Sequence, residues 1–246
     1  MKNFILELLR DKIGRIGLIG VCIVIIVALF APVLAPYDPI EMFPQVRQEP
    51  DKQFLMGTDN FGRDVLSRII YGARVSIIVG LISVGIGASI GIVLGLISGY
   101  FEGWLDNIIM RIMDILFAFP SILLALAIVS VLGPDLKNTI IAIGIVRIPI
   151  FTRTVRAEVL SVKSQEYITS ARSIGVKDKN IISNHVLPNI LSPFIVQVTL
   201  SLSSAILVEA SMSFLGLGIQ PPDPSWGSML NESRKIMELA PWTAIY

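Results

Sequence analysis

QEYITSARSIGVKDKNIISNHVLPN, residues 165–189, is a polar stretch inside a chain written mostly in Ile, Val, Leu, Ala and Gly. Tyr167, Ala171 and Ile174 fall at i, i+4 and i+7, which predicts one apolar stripe on a short helix. Ser170, Arg172 and Ser173 point elsewhere. Gly175 is placed to end that helix, because glycine takes a positive φ at little cost. Asp178 is placed to cap a second helix carrying Ile181, Ile182, His185 and Val186. Pro188 marks a break before the apolar run that follows. Such a helix–turn–helix suits a membrane surface or a cytoplasmic partner, and periodicity alone leaves both open.

The surroundings of this stretch are those of a membrane protein. Of 246 residues, 53% are hydrophobic and only 16% charged, and the mean hydropathy is +0.73. Soluble domains carry more charge and less apolar weight. The net charge of +1 gives no basic excess for nucleic acid. Cys22 is the single cysteine and His185 the single histidine, so neither an internal disulfide nor a Cys/His metal cluster can form. No nucleophile–base set points to an enzyme.

Five segments are candidates to cross a bilayer, which takes roughly 20 apolar helical residues. Residues 16–37, 75–101 and 115–133 carry no charge. Residues 138–152 are interrupted by Arg147, and 191–220 hold the single charge Glu209. The first apolar run is too long for a signal core and reads as a retained anchor. Lys2, Arg10, Lys12 and Arg15 precede it; Arg153, Arg156, Lys163, Arg172, Lys177 and Lys179 flank the opening stretch. The positive-inside rule places both groups in the cytoplasm. The expected organisation is a cytoplasmic segment 1–15, a first span 16–37, an outer loop 38–71, a core 72–218 and an outer segment 219–246. The core holds four spans and a cytoplasmic loop 157–190.

Charges within spans need protein or water around them, because a charge at a helix centre costs roughly 2.5–3.5 kcal/mol on insertion scales. Arg147 and Glu209 could pair, line a translocation path, or be satisfied locally. GTDNFGRD, residues 57–64, lacks the lysine of a phosphate-binding loop. Asp59, Arg63 and Asp64 are expected to fix the outer loop against the second span or a neighbouring subunit. Pro120 and Pro149 are expected to kink their helices, and Gly85, Gly87, Ser89, Gly91 and Gly95 to allow close helix packing. An ion-driven carrier would show several intramembrane acids and an internal repeat; this chain has one such acid and no repeat.

The residues also carry a resemblance. Ala171, Gly175 four residues on, and Leu187-Pro188 resemble the cytoplasmic EAA loop of permease subunits in ABC importers, with Thr169 and Ser170 at its first two positions and His185 at its Ile position. MGTDNFGRDVLSRIIYGARVSI, residues 56–77, and ILVEASMSFLGLGIQPPDPSWGSML, residues 206–230, resemble stretches of dipeptide, oligopeptide and nickel permeases. Glu209 falls in the second of these; Arg147 matches no charged family position. The resemblance implies an all-α polytopic bundle in the cell membrane, with a sixth helix expected beyond Tyr246. It implies a path for di- or oligopeptides, or for nickel or a metal chelate. The implied partners are a second, different permease subunit, two cytoplasmic ATPases holding ATP and Mg, and an extracytoplasmic solute-binding protein. The chain itself would bind no cofactor and catalyse nothing. Tyr167, Thr169, Ser170, Ala171, Arg172, Gly175, Leu187 and Pro188 would form the loop that couples to an ATPase.

Overall fold

The computed structural model describes residues 11–246. The expectations resting on Lys2 and Arg10, and most of the 1–15 segment, lie outside the described residues. The chain divides into two compact units, one running to Ile78 and resuming over Ser213–Tyr246, the other spanning Val79–Met212. Both dividing points fall inside long helices.

The first unit begins with α1 (Lys12–Leu29), capped by Asp11, whose carboxylate accepts from Gly14 N at 2.8 Å. A single turn, α2 (Ala31–Leu34), starts on Pro32 near its N-terminus, where a missing N–H costs nothing. Tyr37, Phe43 and Phe54 then meet with ring centroids 5.0–5.4 Å apart, and Phe54 is fully buried. This aromatic centre organises an otherwise irregular segment. The unit also contains the start of α3 (Val65–Phe101), α10 (Trp226–Arg234) and α11 (Trp242–Ile245). Ser225 and Ser228 form a reciprocal capping box at the head of α10. Trp226 Nε1 donates to Ile69 O at 3.1 Å, and Ser233 Oγ to Thr243 O at 2.7 Å.

The second unit holds the remainder of α3, then α4 (Gly103–Phe117), α5 (Ser121–Leu132), α6 (Leu136–Lys163), α7 (Glu166–Ser173), α8 (Asp178–Ile181) and most of α9 (Leu187–Phe214). The packing of α3 on α6 follows from four glycines one turn apart. A Cβ placed on Gly87, Gly91, Gly95 or Gly99 would lie 2.7, 2.3, 2.6 or 2.9 Å from the Cβ of Arg147, Phe151, Val155 or Val159. The two backbones approach this closely only because the glycines have no side chain. The ladder therefore differs from the expected set: Gly85 faces open space and Ser89 is exposed, while Gly99 belongs to it.

Among the described residues, three helical stretches are long and apolar enough to cross a membrane: Lys12–Leu29, Val65–Phe101 and Asp178–Phe214. A fourth arises if α4 and α5 together form one broken span, bent by 88°. These criteria do not reproduce the expected five. The expected span 115–133 is not one helix, because Pro120 supplies no N–H and biases Phe119 out of the helical region, so α4 stops and α5 restarts after it. The expected span 138–152 lies within α6, whose 28 residues suffice in length but whose charged C-terminal half lowers its apolar character. Ten of its residues, from Thr139 to Val159, are buried in the protein. Pro149 does not interrupt α6.

Candidate functional site

The polar stretch 165–189 folds as two helical segments around a glycine turn. α7 ends in a Schellman arrangement: Val176 N donates to Ala171 O at 3.1 Å and Gly175 N to Arg172 O at 3.0 Å. Gly175 sits at φ +81°, as the motif requires. The accompanying apolar contact is present, since Ala171 and Val176 join one hydrophobic cluster. That cluster is built from Tyr100 of α3, Val155 and Val159 of α6, Ile168 and Ala171 of α7, Ile181 of α8, and Val186 and Ile190 beyond it. α7 is thus rooted in the ends of three long helices.

The expected stripe of Tyr167, Ala171 and Ile174 is split. Ile168 and Ala171, at i and i+3, form the buried face, whereas Tyr167 is 45% and Ile174 80% exposed. The helix closes at Ser173, so Ile174 is carried off the stripe by the turn. Thr169, Ser170 and Arg172 are exposed. Tyr167 stays tethered, its hydroxyl accepting from Asn189 Nδ2 at 3.3 Å.

Asp178 does not cap α8; Lys177 takes that position. The Asp178 carboxylate instead accepts from the Tyr100 hydroxyl at 2.5 Å. Arg172 lies over the same ring, 5.0 Å from its centroid. Pro188 likewise makes no break: residues 178–214 run as one helical span, with a π-helical turn at Ile182–Val186 closed by Leu187 N donating to Ile182 O. The wider turn lets the chain pass Pro188, whose ring would crowd the carbonyl four residues back in a regular helix. Leu187 packs against the cluster and Pro188 is exposed.

Half of the basic group beside this stretch is paired. Arg156 grips Asp106 of α4 bidentately, Nε to Oδ1 at 2.6 Å and a terminal nitrogen to Oδ2 at 2.5 Å; Ser98 Oγ also donates to Asp106. Arg153 meets Asp114 at 2.5 Å. Lys163 Nζ donates to Glu102 Oε1 and to Tyr100 O, both at 2.6 Å. This ammonium holds the Glu102 carboxyl below its ordinary pKa range. Sequence reading missed Tyr100 and Asp106 and gave Asp178 only a capping role, because contacts across 50 to 78 positions leave no periodic signal.

Of the two charges in the apolar segments, Glu209 is fully buried. Arg147 is half-buried and makes no ion pair among the described residues, so the considered Arg147–Glu209 pair is not the arrangement present.

In the first unit, Asp59 and Arg63 belong to a four-residue network. Asp59 accepts from the backbone N–H of Phe61 and Arg63 and from Arg63 Nε, the last at 2.6 Å. Arg63 reaches Glu232 Oε2 of α10 at 2.7 Å. Arg68 lies 3.6 Å from Asp59 and 3.7 Å from Glu232. Asp64 heads α3, accepting from Ser67 N at 2.8 Å and Ser67 Oγ at 2.6 Å. Arg68 and Glu232 were not singled out from sequence; both lie in quoted or adjacent motifs, but nothing in spacing joins Glu232 to Arg63, 169 residues away. Among the described residues no group of three or more His, Cys, Asp and Glu could hold a metal.

The model of the family described as binding-protein-dependent transport system inner membrane component matches residues 91–245, which include the whole 165–189 loop. The chain belongs to this family. A model for the N-terminal transmembrane domain of oligopeptide transport permease C matches residues 1–53. The dipeptide transport system permease protein of Alkalihalophilus pseudofirmus is 48% identical over 241 residues, covering 98% of this chain and 79% of the relative. Glutathione transport system permease proteins of Escherichia coli and Shigella boydii are each 47% identical over 239 residues, covering 96% of this chain and 79% of theirs. As a binding-protein-dependent permease, the chain is a multi-pass helical component of an ABC importer. It is a transport protein rather than an enzyme, and works within a complex of several subunits.

Proposed function

We propose that this permease forms part of the path by which di- or oligopeptides, or closely related solutes, cross the cytoplasmic membrane, and that residues 167–175 couple it to a cytoplasmic ATPase. The observation that carries the coupling role is the two-sidedness of α7. Its inner face, Ile168 and Ala171, is sealed into a cluster shared with α3, α6 and α9, while Tyr167 and Ile174 stand outward with Thr169 and Ser170 between them. A short helix fixed in this way moves as one body with the helices it joins. Side chains as apolar as Ile174 and Tyr167, both exposed, suit a groove on a partner better than water.

In this reading the amino terminus and the loop 157–190 face the cytoplasm, supported by the basic residues flanking both. The partners are a second, different permease subunit, two ATPases carrying ATP and Mg, and an extracytoplasmic binding protein that delivers solute. This chain binds no cofactor. The Asp59–Arg63–Glu232 network and Asp64 stiffen the outward segments, and Arg147 lies beside the path. The peptide assignment draws support from relatives named for dipeptide and glutathione transport.

The coupling role is tested with Ile174→Asp and Tyr167→Ala, which alter exposed positions and leave the buried face alone. Each should lower retention of the ATPase subunits on purification and reduce uptake, with the permease still inserted in the membrane. Normal uptake with full ATPase retention in both would refute the role.

A further inference from the structure

Between Asn138 and Thr152, α6 carries one charged residue, Arg147. Its Nε is buried and has no hydrogen-bond partner, and the guanidinium enters no ion pair among the described residues. The cause is local. Arg147 springs from the α3–α6 seam, where its neighbours Gly87 and Gly144 have no side chains to answer it. A Cβ on Gly87 would stand 2.7 Å from that of Arg147, so the seam cannot close further around it. Two residues on, Pro149 has no N–H for the carbonyl of Ile145, which adds an acceptor to the same turn. An ionisable group in such a setting marks a functional site and needs a partner.

We propose that Arg147 is a carboxylate-recognising residue of the translocation path, receiving the C-terminal carboxylate of a passing peptide. This rests on the peptide-path reading above, since every unmodified peptide ends in such a group. A guanidinium presents planar donors that match a carboxylate two to two. Exposure decides between the two charges of the apolar segments: Glu209 is fully buried and cannot meet a solute, whereas half-buried Arg147 can. Because the charge persists at all physiological pH values, the site favours solutes with a free carboxylate over their amides.

The test uses the assembled transporter with its binding protein, in cells lacking other peptide uptake. Uptake of alanyl-alanine and of its C-terminal amide is compared for the native chain, Arg147→Gln and Arg147→Lys. The binding protein's own preference is common to all three, so a change in the acid-to-amide ratio isolates Arg147. The ratio is expected to fall about tenfold in Arg147→Gln, the scale of one charge-assisted hydrogen bond, and less in Arg147→Lys. An unchanged ratio overturns the proposal, whether or not total uptake falls; the arginine then pairs with another subunit or only supports α6. Failure of the native transporter to take up alanyl-alanine at all would instead overturn the peptide-path reading, and this inference with it.

Discussion

Replacing Gly91 with alanine adds one methyl group at the tightest point of the α3–α6 contact. The new Cβ would lie 2.3 Å from Phe151 Cβ, 3.1 Å from Thr152 N and 3.2 Å from Ile148 O. Two of these are backbone atoms of α6 and the third is fixed to its backbone, so no rotamer change relieves them. The helices must separate by about an ångström to restore ordinary contact, where carbon atoms rest roughly 3.5–4 Å apart. That movement loosens the flanking steps at Gly87 and Gly95, whose own close approaches depend on the same spacing. Overpacking of this kind costs about 1–3 kcal/mol. Alanine returns about 1 kcal/mol through its better helix propensity, leaving a net loss of up to about 2 kcal/mol. Gly85→Ala is the matched control, because nothing lies within 4 Å of its Cβ position; it should keep or slightly raise stability. Thermal unfolding of the detergent-solubilised protein, followed by tryptophan fluorescence, separates the two. At about 2–4 °C per kcal/mol for a chain of this size, Gly91→Ala should unfold several degrees below Gly85→Ala. Equal midpoints would refute the ladder as the determinant of this packing.

Other perturbations test different parts of the molecule. Gly175→Ala meets no steric obstacle but forces a side chain to φ +81°; it should destabilise the turn by about 1–2 kcal/mol, read as faster proteolysis between α7 and α8. Arg63→Ala removes the cation in closest contact with Asp59 and Glu232; with Arg68 still 3.6 and 3.7 Å from the same carboxylates, the cost should fall at the lower end of the roughly 3–5 kcal/mol for breaking a buried pair, seen as a lowered unfolding midpoint. A double-mutant cycle on Asp106 and Arg156 should return a coupling energy of about 1.5–3 kcal/mol, as for a charged hydrogen-bonded pair; additive single effects would show that the bidentate contact contributes nothing.

Local signals carried much of this protein. Uncharged runs such as residues 75–101 can be stable only in lipid or inside protein, so the membrane class was legible from composition. Gly175 was legible as a helix stop because its role depends only on neighbours one turn away, and the structure places it at φ +81°. The same locality explains the errors. Helical spacing predicted a stripe through Tyr167, Ala171 and Ile174, but which face turns inward is set by Tyr100, Val155 and Val159 from other helices, and these took Ile168 and Ala171. Asp178 looked like a cap until the Tyr100 hydroxyl, 78 positions away, claimed its carboxylate. The glycine ladder reads as small residues in sequence; only the opposing α6 decides that Gly91 is indispensable and Gly85 is free. Arg147 shows the division most sharply. Its cost in an apolar helix follows from sequence alone, but its lack of an answering carboxylate among the described residues is a property of three-dimensional neighbours, two of which are glycines.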